Sequence, residues 1–311
     1  METLVSTQTM QQIDSKAQHD YAIPSMVLME QAGSKAWLAF TGFAQEHSIP
    51  MTKIVFVAGG GNNGGDALVM AREAWFAGQT DISILLVGSH ISHSCEIHRS
   101  ICNKLGLPMV EGGDGEKQIN GEASRMLADA DLIVDGIAGT GLRGSLTGTT
   151  AEVVKMINAR KAQGAFVLAV DIPSGCSDTM SAAAPRIMAD VTITMGLQKS
   201  GAYHPVSRMG WGTILRVNPS FPPPLLLHAP AEALLSSPEE LHLKQVSEDA
   251  YKYKRGHLAL FAGSRRYTGA ARLAARGAFH SRCGVVTLCC DQDVASVASS
   301  ESPSIIVPAL Q

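Results

Sequence analysis

The chain has 311 residues, of which 45% are hydrophobic and 17% charged, so it is too apolar for a disordered polypeptide and long enough to form more than one folded unit. Its 25 Lys and Arg residues against 28 Asp and Glu give a formal charge of −3, and because no basic run is present, we expect no nucleic-acid partner. No segment approaches the roughly 20 uncharged apolar residues of a membrane helix, and no leader pattern opens the chain, so we expect a cytoplasmic protein without membrane contact.

The N-terminal region predicts two helices. In the first, over residues 9–20, apolar residues such as Met10 and Ile13 recur at helical spacing. The second begins at Ser25, and we expect the Ser25 side chain to cap its N-terminus.

Between residues 53 and 217, apolar strand-like runs alternate with helical stretches. The strands are expected at 53–58, 81–87, 131–136, 165–171, 190–195 and 212–217, and helices at 65–76, 96–105 and 150–162. Strands that are apolar on both faces are typical of a parallel sheet covered by helices on both sides. The sequence therefore predicts an α/β fold with a mostly parallel sheet.

The composition changes after this region. Residues 218–238 contain six prolines and have neither the strand period nor the helical one, which indicates a linker. One further strand, helix, strand pattern follows at 257–290. Because a complete domain of about 60 residues is already marginally stable, we expect this second domain to be unfinished. The predicted divisions are a domain at 1–220, a linker at 221–250 and an incomplete domain at 251–311.

The six cysteines form no CxxC pair and are interpreted as reduced thiols. His93, Cys95, His98 and Cys102 lie close together in the sequence, so a metal site is considered for them. No second ligand pair with the spacing of a zinc site follows, and ordinary packing of a helix explains the cluster better.

A glycine-rich loop gives the sharpest chemical signal. Five glycines occupy seven positions in 59–65, directly between a predicted strand and a predicted helix, and Asn62, Asn63 and Asp66 accompany them. Such a loop lets the backbone approach a ligand closely, and the free N–H groups of the helix start favour an anion such as a phosphate. The alternative is a plain glycine-rich turn, which would not require the two asparagines or the aspartate.

Two more polar loops leave the carboxyl ends of predicted strands, at 135–145 and 171–175. Ligands of open α/β sheets collect beyond these ends, so the loops are expected to face one crevice. Asn63, Asp135 and Ser174 would supply one carboxylate among neutral oxygens, which suits a monovalent cation. Asp171 and Lys199 are a candidate acid and base pair, although Lys199 is as easily interpreted as a surface lysine.

These motifs together resemble a known family. The segments IPSMVLMEQAG (23–33), GGGNNGGDALVMAR (59–72), DLIVDGIAGTGLRG (131–144), AVDIPSG (169–175) and DVTITMGLQKSGAY (190–203) are similar to the NAD(P)H-hydrate epimerases, the YjeF N-terminal domain family. Residues 256–288 resemble the opening of the ADP- or ATP-dependent NAD(P)H-hydrate dehydratase domain, in the order found in bifunctional nicotinamide nucleotide repair proteins.

The resemblance implies a Rossmann-like three-layer αβα domain, followed by the incomplete start of a ribokinase-like α/β domain. It implies epimerisation of the R and S forms of NADHX and NADPHX at nicotinamide C6, K⁺ as the bound ion, and a homodimer. Carried over by motif, the substrate-binding residues are Asn62, Asn63, Gly64, Gly65, Asp66, Gly139, Thr140, Gly141, Leu142, Arg143, Gly144, Ser145 and Asp171. The K⁺ ligands fall on Asn63, Asp135 and Ser174, and Asp171 and Lys199 are expected to share proton transfer.

Two alternatives remain open at this point. The chain is part of a full bifunctional epimerase and dehydratase, or it is a nucleotide-binding dimerisation scaffold without turnover. The later nucleotide loop and catalytic aspartate of the dehydratase are missing from the 311 residues, so dehydration is not predicted for them.

Overall fold

The computed structural model of the chain describes residues 1–88, 90–113, 119–241, 245–299 and 304–308. The chain divides into two compact units, Met1–Leu235 and Ser236–Gln311. The described residues include no helix with the length and hydrophobicity of a membrane span.

The first unit alternates strands and helices. Its strands are β1 (Glu2–Val5), β2 (Ile54–Gly59), β3 (Ile82–Val87), β4 (Met109–Glu111), β5 (Leu132–Gly136), β6 (Phe166–Val170), β7 (Val191–Met195), β8 (Gln198–Lys199), β9 (Thr213–Val217) and β10 (Ala233–Leu235). Its helices are α1 (Thr7–His19), α2 (Ser25–Glu46), α3 (Asn62–Phe76), α4 (His93–Lys104), α5 (Gly121–Asp129), α6 (Gly148–Ala162), α7 (Pro205–Arg208) and α8 (Pro223–Leu227), with a 3₁₀ turn at Ser200–Tyr203.

Seven of these strands form the main sheet. Their order is β4-β3-β2-β5-β6-β7-β9, and every neighbouring pair is parallel. The chain leaves β2 towards β3 and β4 and then returns to the other side of β2 with β5, so the strand order reverses between β2 and β5. Ligands of open α/β sheets bind outside the carboxyl ends of the strands at such a point. This edge is therefore where a site is expected.

Helices cover both faces of the sheet. Alternate residues of β2 point to opposite faces: Phe56 packs in a cluster with residues of α2, α3 and α4, whereas Val57 packs in another with residues of α5 and α6. Both β2 residues are fully buried. The predicted α/β fold, a Rossmann-like three-layer αβα domain with a mostly parallel sheet, is confirmed.

A small second sheet joins the start of the first unit to its end. In the order β10-β1-β8, strand β1 pairs antiparallel with β10 and parallel with β8. Phe221 packs in the same apolar cluster as Met10 and Ile13 of α1. Residues 221–235, predicted as linker, thus belong to the first unit, and its boundary lies at 235 instead of 220. The prolines interrupt the sequence pattern of this segment without preventing strand pairing.

Helix α2 begins at Ser25, as expected, but the residue at its N-terminal cap differs from the prediction. Pro24 occupies the cap position, and no side chain caps the helix. The prediction that Ser25 caps α2 is therefore wrong, because Ser25 is already the first helical residue.

The second unit contains a three-stranded sheet. Strands β11 (His257–Phe261), β12 (Val285–Cys289) and β13 (Ile305–Ile306) pair in parallel in that order. A 3₁₀ turn at Pro238–Glu240 precedes β11. Helix α9 (Thr268–His280) connects β11 to β12, and α10 (Gln292–Ser299) follows β12. The predicted strand, helix, strand pattern is present in this unit.

Candidate functional site

The glycine-rich loop connects β2 to α3 at the expected edge of the sheet. A Cβ atom on Gly64 would lie 1.7 Å from the carbonyl oxygen of Gly59, and one on Gly59 would lie 1.9 Å from that of Ile137. Only glycine allows backbones to approach this closely. Gly61 precedes the first residue of α3, and no side chain of the described residues caps this helix. The first N–H groups of α3 are therefore left for another acceptor.

A cavity of about 530 Å³ opens beside this loop. Its walls come from α1, α2, the start of α3, the loop after β5 and the carboxyl ends of β6 and β7. The lining residues are Met10, Gln11, Asp14, Ser25, Leu28, Met29, Ala32, Gly61, Asn62, Asn63, Asp66, Ile137, Ala138, Gly139, Thr140, Gly141, Leu142, Arg143, Asp171, Met195, Lys199, Pro219 and Phe221. Pockets of about 300–1,000 Å³ hold small molecules and cofactors.

Most of the substrate-binding residues predicted from the sequence line this cavity. They are Asn62, Asn63, Asp66, Asp171 and the run 139–143.

The remaining four predicted substrate-binding residues do not line the cavity. Gly64 is buried against the backbone of Gly59, and a Cβ on Gly65 would lie 2.3 Å from the sulfur of Met29. Gly144 and Ser145 are exposed beyond the lining part of their loop. The two buried glycines therefore do not contact the cavity. They allow the loop to pack closely, because a side chain at either position would collide with Gly59 or Met29.

Asp171 and Lys199 form a buried ion pair at the cavity wall. The Lys199 side chain is 1% exposed and that of Asp171 is 13% exposed. The Lys199 ammonium group donates to Asp171 Oδ1, to the hydroxyl of Thr194 at 2.9 Å and to the carbonyl of Met195 at 2.9 Å. All three of its N–H groups are thereby used. Lys199 is not the surface lysine that the sequence left open.

The second oxygen of Asp171 is free of protein partners within the described residues. Oδ1 accepts from Lys199 and, at 2.9 Å, from the backbone N–H of Met195, whereas Oδ2 takes part in none of the hydrogen bonds found. Asp171 has a φ of 62°, in the left-handed region. Such a conformation costs about 1–3 kcal/mol in a residue other than glycine and persists where surrounding contacts fix it. The contacts on Oδ1 hold the carboxylate against the cavity.

Asp135 and Ser174 meet behind the cavity wall. The Ser174 hydroxyl donates to Asp135 Oδ1 at 2.6 Å, and the Ser174 N–H donates to Oδ2 at 2.8 Å. The Ser174 oxygen also accepts from the N–H of Ala138 at 2.8 Å. Both side chains are fully buried, and burial raises the pKa of Asp135 to about 6, although its hydrogen bonds to Ser174 oppose the rise.

Asn63, the third of the predicted cation ligands, lies next to the same segment. A Cβ on Gly139 would lie 3.1 Å from Asn63 Oδ1, so the Asn63 side chain lies against the loop after β5. Ser174 contacts the same loop, because its hydroxyl oxygen accepts from the N–H of Ala138. Among the described residues, hydrogen bonds join Asp135 directly to Ser174, whereas Asn63 lies against the loop after β5. Asn63 Nδ2 is buried and has no hydrogen-bond partner within the described residues. A buried amide group in this state is open to completion by a ligand.

Two further carboxylates line the cavity near Asp171. The pKa of Asp66 is raised well above its usual value by burial, and then by the negative charges of Asp171 and Asp14. Burial also raises the pKa of Asp14, a hydrogen bond from Gln18 opposes the rise, and the charge of Asp171 adds to it. Asp14 is not among the site residues predicted from the sequence, because its local pattern is only that of an amphipathic helix.

The two cysteines of the α4 cluster pack against the backbone of neighbouring elements. Cys95 donates to the carbonyl of Gly59 and Cys102 to that of Leu68, and His98 is buried. No group of three His, Cys, Asp or Glu residues in the described ranges is arranged to hold a metal ion. The contacts of Cys95 and Cys102 agree with ordinary helix packing.

Proteins with similar sequences support the family resemblance. The profile of the family described as YjeF-related protein N-terminus matches residues 25–201. An NAD(P)H-hydrate epimerase of Limosilactobacillus fermentum is 35% identical over 203 residues, which are 64% of this chain and 88% of that protein. The bifunctional NAD(P)H-hydrate repair enzymes Nnr of Archaeoglobus fulgidus and Moorella thermoacetica are 30% identical over 97% and 99% of this chain. This chain spans 58% of the length of each of these two enzymes.

A solved structure supports the fold. The crystal structure of yeast ynu0 matches with a TM-score of 0.56 and 21% identity, over 65% of this chain and 83% of the yeast chain. At this level of identity the match shows only that the two folds are similar. Together with the matching profile, which covers more than half of the 311 residues, these findings place the chain in a family. The chain belongs to the family described as YjeF-related protein N-terminus.

Proposed function

We propose that the first unit epimerises NAD(P)H hydrates, interconverting the R and S forms of NADHX and NADPHX at C6 of the nicotinamide ring. The observation that carries the proposal is the free oxygen of Asp171 at the wall of a cavity that also contains the start of α3. The cavity lining combines acid and base chemistry at Asp171 with N–H groups for a phosphate at the start of α3. The epimerase and repair enzymes among the relatives support this assignment.

The charges of the cavity favour one orientation of the dinucleotide. The pyrophosphate would lie at the N-terminus of α3, beside Asn62 and Asn63, where the helix dipole favours negative charge. Arg143 is an exposed cation at the cavity lining and would attract the phosphates as well. The carboxylate of Asp171, elsewhere in the lining, would repel them. The neutral end with the hydrated ring therefore lies at Asp171.

The reaction at C6 needs proton transfer both to the leaving hydroxyl and from the returning water. The C6 hydroxyl is on a carbon bonded to the ring nitrogen, whose lone pair expels the hydroxyl once it is protonated, and water then returns from either face. We assign proton transfer to Asp171, through its free Oδ2. Because all three donors of Lys199 are used, we assign Lys199 the positioning of Asp171 and not the shared proton transfer expected from the sequence.

K⁺ fits the oxygen set of Asn63, Asp135 and Ser174. A single carboxylate among neutral oxygens suits a monovalent ion, and the unpartnered amide of Asn63 can turn its oxygen towards one. Bound there, K⁺ would balance the buried charge of Asp135 and fix the loops that follow β5 and β6.

A homodimer stays a prediction, with no bearing on the residues assigned above.

The proposal is tested by following the epimers directly. A mixture of NADPHX enriched in the S form is incubated with catalytic amounts of the protein, and the R-to-S ratio is measured over time by chromatography. We expect relaxation to equilibrium at a rate proportional to protein concentration, at least about 100-fold above the uncatalysed rate. Relaxation no faster than in buffer would reject the proposal and favour a nucleotide-binding scaffold.

A further inference from the structure

Helix α1 brings a carboxylate to the cavity from outside the main sheet. Met10, Gln11 and Asp14 all line the cavity, and their spacing of one and four residues puts them on neighbouring positions of one helical face. Asp171, in contrast, follows strand β6 of the main sheet. The two carboxylates therefore reach the cavity on different structural elements.

The start of α1 is fixed to the elements that carry the candidate site. Strand β1 precedes it, and Val5 at the end of β1 is the register partner of Lys199. The backbone N–H and the hydroxyl of Thr7 both donate to Asp178 Oδ2, at 2.9 and 2.6 Å. Further along, Gln11 donates to the carbonyl of Thr140 at 2.5 Å. Helix α1 is thus fixed near the Asp171–Lys199 ion pair through β1, and at the loop after β5 through Gln11.

One oxygen of Asp14 is oriented and the other is free. Gln18 Nε2 donates to Asp14 Oδ2 at 2.7 Å, and Oδ1 has no partner among the hydrogen bonds of the described residues. The side chain is partly buried, and burial together with the charge of Asp171 raises its pKa. Such an environment favours the protonated form of Asp14, whereas the ammonium of Lys199 lies directly on Asp171. The pair is suited to opposite proton-transfer roles.

Inversion at C6 requires proton transfer on both faces of the nicotinamide ring. The hydroxyl leaves from one face and water returns to the other, so one carboxylate confined to one wall serves only one of the two events. This step rests on the proposed epimerase function. We propose that Asp14 is a second catalytic residue, which transfers the proton on the face of the ring opposite to the face served by Asp171.

The steps balance without any further reactant. The Asp14 carboxyl gives its proton to the C6 hydroxyl, the C–O bond breaks, water leaves, and the lone pair of the ring nitrogen forms a C=N bond. Water then adds to C6 from the other face, its proton passes to Asp171, and the electron pair returns to nitrogen. One proton has moved from Asp14 to Asp171, and exchange with solvent restores the starting state. The opposite epimer uses the two groups in reverse.

The test separates exchange from inversion. Each epimer of NADPHX is incubated in ¹⁸O-labelled water with the wild-type protein, Asp14→Asn and the control Asp20→Asn. Mass spectrometry measures label at C6, and chromatography measures the epimer ratio. Asp20 is exposed at the end of the same helix and does not line the cavity, so we expect the control to match the wild-type protein. A thermal unfolding midpoint for Asp14→Asn close to that of the wild-type protein verifies folding.

For Asp14→Asn we expect inversion to slow by about 100-fold or more, while label still enters one epimer, on the face served by Asp171. Inversion within threefold of the wild-type rate would overturn the assignment of Asp14. Loss of exchange into both epimers in the folded variant would also overturn it, because Asp14 would then act on both faces or on binding. If Asp66→Asn instead separates exchange from inversion, Asp66 is the second group. Absence of inversion by the wild-type protein would reject the proposed function itself, and this inference with it.

Discussion

Asp171→Asn is expected to lower kcat for epimerisation by about 100-fold or more and to leave KM little changed. Asparagine keeps the size of the side chain and an oxygen that accepts from Lys199 and from the Met195 N–H, but it neither takes nor gives the proton at Oδ2. The rate of relaxation of the R-to-S ratio, measured over a range of NADPHX concentrations, gives both constants.

The folding of this variant needs its own control, because a neutral asparagine in place of Asp171 would leave the buried Lys199 without a counter-charge. Breaking a buried pair in this way costs about 3–5 kcal/mol. The double variant Asp171→Asn/Lys199→Met removes both charges, and we expect it to be more stable than the single variant and equally inactive. Asp190→Asn removes the partner of Lys161 in a pair outside the cavity, and we expect its kcat to be that of the wild-type protein. A folded Asp171→Asn within threefold of wild-type kcat would remove Asp171 from the reaction.

Gly64→Ala is expected to lower the free energy of unfolding of the first unit by about 3 kcal/mol or more. The new Cβ would lie 1.7 Å from the carbonyl oxygen of Gly59, and neither backbone can move without opening the contact between the loop and the sheet. All three tryptophans of the chain lie in this unit, so urea unfolding followed by tryptophan fluorescence reports its stability separately.

Two neighbouring glycines provide matched controls for Gly64. Gly61 has space for a Cβ and a φ of −87°, which alanine adopts readily, so Gly61→Ala should leave the unfolding free energy nearly unchanged. In Gly65→Ala the new Cβ meets the flexible side chain of Met29, and we expect an intermediate loss of about 1–3 kcal/mol. Equal stability of the three variants would contradict the close approach of Gly64 to Gly59.

The polar loops of the site could be predicted from the sequence, because each is marked by residues that are adjacent in the chain. Glycines and asparagines between a strand and a helix mark the turn after β2, and Asp135 and Asp171 stand at the ends of apolar runs that can be recognised without a structure. Parallel strands place such ends on one edge, which the strand order of the main sheet confirms. The direct contact of Asp135 with Ser174 follows from this arrangement.

Features of the structure that depend on pairing between strands far apart in the sequence could not be predicted. Asp14 reaches the cavity because β1 pairs with β8, a contact between Leu4 and Gln198 that no local pattern reveals. The inclusion of residues 221–235 in the first unit likewise depends on the pairing of β10 with β1. Helix α5 and the three-residue strand β4 were missed because short elements near polar residues give weak periodicity.

The central claim is that one cavity holds the hydrated dinucleotide together with a cation. It is tested most directly by diffraction from crystals of the protein grown in rubidium chloride and soaked with NADPHX, in which Rb⁺ replaces K⁺ and is located by its anomalous scattering. We expect an anomalous peak in contact with oxygens of Asn63, Asp135 and Ser174, the pyrophosphate at the start of α3, and the nicotinamide ring against Asp171. Dinucleotide bound elsewhere, or a peak away from these three residues, would contradict it.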